Sequence, residues 1–161
     1  MTKYQKLFGA GPRGLFLSGL ILLILIWKKE TVSIGPILET YSVGLSIFCI
    51  LTLVTFLIIA WSLKSLPPNF RGERLVQDQA FKFFRHPLYG AFLSFFNFGL
   101  AVLLNDYIFM LWAVLLHPLW HWNIMYEEQL MKSKFRDEYS AYAKAVSRFF
   151  PFKFFIGVFR R

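Results

Sequence analysis

Two short blocks carry the chemistry this chain can offer. Arg85-His86-Pro87-Leu88-Tyr89 supplies a guanidinium, an imidazole and a phenol, and Tyr126-Glu127-Glu128 supplies a phenol and two carboxylates. Both lie beside long apolar runs, where ionisable side chains are expensive and therefore mark function. A carboxylate can hold an ammonium, a guanidinium or backbone N–H groups can hold a carboxylate, and aromatic faces attract a cation. Of these groups, His86 is the nearest candidate for a proton acceptor. It can serve as a base, or it can be a structural hydrogen-bond donor, and the structural role is favoured.

The elements that must position these blocks are read from apolar run length. Hydrophobic residues make up 57% and aromatic residues 20% of 161 positions, a composition that excludes an ordinary soluble domain. Crossing about 30 Å of hydrocarbon takes about 20 mostly apolar residues, and four stretches approach that length: 12–28, 41–63, 87–104 and 107–126. The expected fold is an all-α, polytopic membrane protein of one domain, with four transmembrane helices and a cytoplasmic C-terminal cap over 127–161. The first stretch ends in Trp27-Lys28-Lys29-Glu30 with no small-residue cleavage site, so it is expected to be a retained span rather than a signal peptide. With both termini cytoplasmic, 16 of the 18 basic residues fall inside and only Lys28 and Lys29 outside, as the positive-inside rule requires. The net charge of +9 is then a topology signal. It is not the basic face of a nucleic-acid-binding domain.

Only Asn105-Asp106 separates the third span from the fourth, which forces an antiparallel hairpin and brings Arg85–Tyr89 and Tyr126–Glu128 to the same end of it. Gly90, Ser94, Asn97, Gly99 and Ala101 allow close helix approach on the third span. Pro87 suits a first helical turn, and Pro118 is expected to kink the fourth span. Beyond it, Gln129–Val146 reads as an amphipathic helix, with Leu130, Phe135, Tyr139, Tyr142 and Val146 apolar among charges. The aromatic tail Phe149–Arg161 suits the headgroup boundary.

These residues carry a resemblance. Leu75-Val76, Phe81, Phe84-Arg85-His86-Pro87-Leu88-Tyr89, Glu127-Glu128, Phe135, Tyr139, Tyr142, Arg148 and Pro151 form a pattern over the C-terminal half. It is similar to that of the isoprenylcysteine carboxyl methyltransferase and phospholipid methyltransferase superfamily. The resemblance implies an integral membrane methyltransferase that uses S-adenosylmethionine at the cytoplasmic face and takes a lipophilic or lipid-modified acceptor from the membrane lipids. It implies Leu75, Val76, Phe81, Arg85, His86, Pro87, Leu88, Tyr89 and Glu127 as cofactor-binding residues, with Glu127 on the ammonium. His86, Glu127 and Asn123 would stand nearest the reaction. Asn123 occupies the position where prenylcysteine-specific members carry an arginine for the substrate carboxylate. Two further departures are Asp78-Gln79-Ala80 in place of a small residue and glycine before the aromatic at Phe81, and Arg136 in place of a glycine after Phe135. Arg85 is read equally as a carboxylate partner and as a topology anchor, and Glu128 as a solvated partner of Lys132. Membrane sterol reductases, which bind NADPH, are more distantly similar over the same half, and the Glu-Glu pair favours the methyltransferase. A non-catalytic lipid-binding relative is the third reading.

Other signals are weaker. Gly9-Ala10-Gly11-Pro12-Arg13-Gly14 matches a dinucleotide-binding glycine pattern, but no strand precedes it and a span follows, so chance explains it. His117 and His121 are one helical turn apart but lack further histidines to build a metal centre; no metal is expected. Cys49 is expected to be a packed, unreactive thiol, and the five tryptophans largely interfacial.

Overall fold

The computed structural model describes residues 9–67, 70 and 73–151. The tail beyond Pro151 and the basic residues Lys3, Lys6 and Arg71 lie outside them. The helices are α1 (Gly11–Trp27), α2 (Lys29–Val32), α3 (Tyr41–Ser65), α4 (Pro87–Leu104), α5 (Tyr107–Asn123) and α6 (Met125–Ala145), with a 3₁₀ turn at Gln79–Lys82. No strand occurs among the described residues; Phe84 and Ser147 form an isolated parallel bridge.

Three helices are long and apolar enough to cross a membrane: Tyr41–Ser65, Pro87–Leu104 and the combined Tyr107–Ala145. α1 is apolar but shorter, at 17 residues. Only 11% of the most apolar window of α3 is buried, leaving Ile50, Leu53, Phe56 and Leu57 exposed. The residues that α3 does bury are Gly44, Thr55, Ser62 and Ser65, and those of α1 are Gly11, Gly14 and Ser18. In water such an arrangement forfeits the hydrophobic contribution of each large side chain. In hydrocarbon it is the ordinary one, since small and hydroxyl residues let helices approach while large apolar residues meet lipid tails. Cys49 is exposed on α3 rather than packed.

α1 packs on α5, α5 on α4, and α4 on α3. Two tryptophans expected at interfaces are core residues instead. Trp112 and Trp120 are 4% and 1% exposed, and their indole N–H groups donate to the Ser18 carbonyl (3.3 Å) and hydroxyl (2.9 Å). Burying an indole demands a partner for its N–H, and Ser18 supplies both, which ties α1 to the hairpin.

The hairpin turn does more than reverse the chain. Asn105 takes a left-handed conformation (φ 51°, ψ 51°), its side-chain oxygen accepting from the Ile37 and Leu38 amides and its amide donating to the Leu38 carbonyl. Asp106 caps α5 through the Ile108 amide (3.0 Å) and also receives the Ile34 amide and the Ser33 hydroxyl. Burial alone would raise this carboxyl, but donors from Ile108, Ser33, Ile34 and Gly35 bring it down to about 2. Because the folded carboxyl titrates below the unfolded one, each proton it takes up on acidification favours the unfolded chain. Its stabilisation is intact above about pH 4 and is lost between there and pH 2. The detergent-solubilised protein should therefore lose thermal stability over that window, and Asp106→Asn should flatten the fall; an equal slope in the variant would contradict it.

α4 begins at Pro87 in the first turn, as expected, but contains a π turn at Phe92–Phe96. α5 runs through Pro118 as one helix, and only Ile124 separates it from α6, which starts at Met125 rather than near Gln129. Gln79 and Arg136 take positive φ, at 50° and at 46° with ψ −118°. Glycine populates such conformations far more readily than other residues, so at Arg136 a side chain stands where the backbone favours glycine. Arg136→Gly should raise stability by about 1 kcal/mol, read as a higher thermal midpoint, whereas Arg136→Ala should not. A fall with glycine would overturn this account.

Candidate functional site

At the end of the bundle where α3 finishes and α4 begins lies a cavity of about 470 Å³, within the about 300–1,000 Å³ range of small-molecule sites. Leu75, Val76, Phe81, Arg85, His86, Pro87, Leu88, Tyr89 and Glu127, the nine residues named by the resemblance, all line it. The sequence places them on three separate segments; the hairpin brings 85–89 to Glu127, and packing against α6 brings in 75–81. Gly9, Gly11 and Leu15 from the start of α1, Ile59 and Leu63 from the end of α3, and Met131 from α6 complete the walls. A second cavity of about 630 Å³, with Lys64, Glu73, Asp78 and Glu138 in its wall, shares Arg74, Leu75 and Val76 with the first.

The 3₁₀ turn that carries Phe81 is fixed by the Tyr142 hydroxyl, which donates to the Phe81 carbonyl at 2.6 Å. Leu75, Tyr139 and Tyr142 form a small core of their own, with Met131 and Phe135 against it, so α6 closes over the 75–81 segment. This accounts for the Phe135, Tyr139, Tyr142 spacing.

Glu127 is the carboxylate on the cavity, its side chain 29% exposed. Its Oε2 accepts the Ala10 amide (3.1 Å) and the Tyr89 hydroxyl (3.3 Å). Its Oε1 stands 3.9 Å from His86 Nδ1, beyond a direct hydrogen bond. His86 is 8% exposed and stacks on Tyr89 with ring centroids 5.6 Å apart and planes within 12°. Its backbone amide donates to the Arg148 carbonyl (3.0 Å), and its Nε2 lies 3.3 Å from Glu128 Oε1. An imidazole protonated on Nε2 donates to Glu128 and turns Nδ1 toward Glu127.

Glu128 is the residue beside the cavity that sequence reasoning misplaced. It is not a solvated partner of Lys132: its side chain is 12% exposed and sits between two guanidiniums. Arg85 donates to Oε1 from Nε (3.1 Å) and Nη2 (2.8 Å), and Arg148 donates to Oε2 from Nε (3.0 Å) and Nη2 (2.6 Å). Arg85 Nη1 also donates to the Ala143 and Val146 carbonyls. A guanidinium has five N–H donors, and Arg85 has committed four of them within the protein. It is therefore neither a free carboxylate clamp nor a surface anchor but the tie between α4 and the end of α6. Ser147–Phe149 runs alongside as a strap, the Ser147 and Arg148 carbonyls receiving the Arg85 and His86 amides. Gly90 makes room for it, since a Cβ there would collide with the Phe149 carbonyl. The signal for this role was present in the Arg148-x-x-Pro151 element.

Two other expectations land elsewhere. Asn123 is 5% exposed and does not appear in the cavity wall; its amide donates to the Ala10 carbonyl (2.9 Å). Tyr126 is 58% exposed and does not face the cavity. His121 Nδ1 pairs with Arg148 Nη1 (2.8 Å), and its ring meets Phe149 edge-on, while His117 lies against Phe98.

The cavity thus offers one carboxylate oxygen, a stacked imidazole–phenol pair, the Phe81 ring, the side chains of Arg74 and Arg85 and apolar walls. That set fits an organic cation carrying an ammonium or onium group next to a flat or aliphatic portion. Comparison of the chain with models of protein families, with curated proteins and with solved structures gives no match.

Proposed function

We propose that the chain is a four-span membrane methyltransferase, with both termini cytoplasmic, that uses S-adenosylmethionine to methylate a lipophilic acceptor drawn from the bilayer. The observation that carries this reading is the convergence of nine residues from three segments on one cavity, with Glu127 as its carboxylate. When bound, S-adenosylmethionine supplies a methyl carbon on a sulfonium, open to in-line attack, with a neutral thioether as the leaving group.

The protein's share of the work is alignment and exclusion of water. Glu127 Oε1 receives the ligand ammonium, while Oε2 is held by Ala10 and Tyr89. Phe81 and Tyr89, both in the cavity wall, would stand beside the cationic centre and favour it through their aromatic rings. His86, gripped by Glu128 and by the Arg148 carbonyl, orients rather than shuttles protons. Leu15, Ile59 and Leu63, whose helices carry the exposed apolar surface, form the side of the cavity from which an apolar acceptor enters.

The test is transfer itself. Purified protein in vesicles, given S-adenosylmethionine labelled in the methyl group and a total lipid extract, should move label into the organic phase. Absence of transfer, together with thermal stabilisation by NADPH and none by S-adenosylhomocysteine, would replace this reading with the reductase one.

A further inference from the structure

Ala10 is gripped from both sides by residues one helical turn apart on the continuous α5–α6 segment. Asn123 Nδ2 donates to its carbonyl at 2.9 Å, and Glu127 Oε2 accepts its amide at 3.1 Å. The grip depends on the glycine before it. Gly9 has φ +54°, and a Cβ there would lie 2.8 Å from Tyr89 Oη and 2.9 Å from Glu127 Oε2. Gly11 lies against the Tyr89 ring, where a Cβ would be at 3.4 Å. The first glycine of the run dismissed above as a chance nucleotide motif thus has a physical reason: at Gly9 only backbone fits between Tyr89 and Glu127.

We infer that the Gly9–Gly11 turn is part of the cation site and that Asn123 is a positioning residue which acts through Ala10 to orient the Glu127 carboxylate. The inference rests on the proposed cofactor and deepens it. A glutamate side chain has three rotatable bonds and loses their freedom when it binds. Here Tyr89 and Ala10 immobilise Oε2 in advance, so that Oε1 is the oxygen presented to the ligand. Asn123 is buried and contributes no group to the cavity wall, yet releasing the Ala10 carbonyl would free the turn and, with it, half of the support of Glu127.

The experiment compares two ligands on the full chain: S-adenosylhomocysteine, which has the ammonium, and 5′-methylthioadenosine, which lacks it. Asn123→Ala should weaken S-adenosylhomocysteine about tenfold, the worth of one positioned hydrogen bond, and leave methylthioadenosine unchanged. Added to Glu127→Gln, Asn123→Ala should cost nothing more, because the two act on one interaction. Hydrogen exchange should show the Ala10 amide protected in the wild type and unprotected in Asn123→Ala. Should Asn123→Ala fold poorly, Gly9→Ala, whose methyl would press on Tyr89 Oη, should give the same selective loss.

Equal losses for both ligands, or additive losses in the double variant, would overturn the positioning role and leave Asn123 as a plain structural residue. A wild type that protects the Ala10 amide but binds no S-adenosylhomocysteine would overturn the cofactor reading, and with it the ammonium role. Loss of S-adenosylhomocysteine affinity without loss of Ala10 protection would overturn this inference alone.

Discussion

Glu127→Gln should weaken S-adenosylhomocysteine binding about a hundredfold, near 3 kcal/mol, the upper range for a hydrogen bond to a charged group. Glutamine keeps the length and shape of the side chain, so the cavity walls and the Ala10 and Tyr89 contacts to this position are disturbed little. What changes is the charge opposite the ligand ammonium. Lost affinity should appear for ligands that carry the ammonium and not for those that lack it, which separates recognition from damage to the fold. Isothermal titration of the purified protein measures it directly. A change of less than about threefold would remove Glu127 from the cation site.

Glu128→Ala should have the largest effect on stability, a loss of about 3–5 kcal/mol. Its carboxylate is nearly buried and accepts four guanidinium N–H groups, two from Arg85 on Oε1 and two from Arg148 on Oε2, and hydrogen bonds between charged partners are among the strong ones. Removing it leaves Arg85, itself 8% exposed, as an uncompensated charge, and such a charge costs more than the pair contributes. The strap at Ser147–Phe149 would lose the tie from Arg148 to Glu128 while keeping its backbone bonds to Arg85 and His86. The thermal midpoint should therefore drop steeply, and cleavage at Arg148 by trypsin should accelerate. Glu128→Gln should fall between wild type and alanine. A drop below about 1 kcal/mol would mean that the cluster behaves as a solvated surface pair.

Much of this arrangement was legible in the residues. Run lengths predicted the helices at 41–63 and 87–104, and the two-residue turn at Asn105-Asp106 predicted the hairpin, because so short a link leaves no other packing. The nine cavity residues were legible through the resemblance and not through spacing, since nothing in a linear chain says that Leu75 will face Glu127. The partners of buried charges were not legible. Lys132 lies one turn beyond Glu128 in sequence, but Arg85 and Arg148 reach it through the fold, and burial makes the long-range pair decisive. The tryptophans misled for a related reason. Trp112 and Trp120 look interfacial by position, yet Ser18, about a hundred residues earlier in the chain, satisfies both indoles within the bundle. Gly9 reads as chance in the sequence because its constraint is the absence of a side chain between two others.

The most direct test of the central claim is an experimental structure of the protein with S-adenosylhomocysteine. The account predicts the ligand inside the cavity bounded by Leu75, Phe81, His86 and Tyr89, its ammonium within hydrogen-bond distance of Glu127 Oε1 and the Ala10 amide still on Oε2. A ligand bound elsewhere, or one whose ammonium turns away from Glu127, would contradict it.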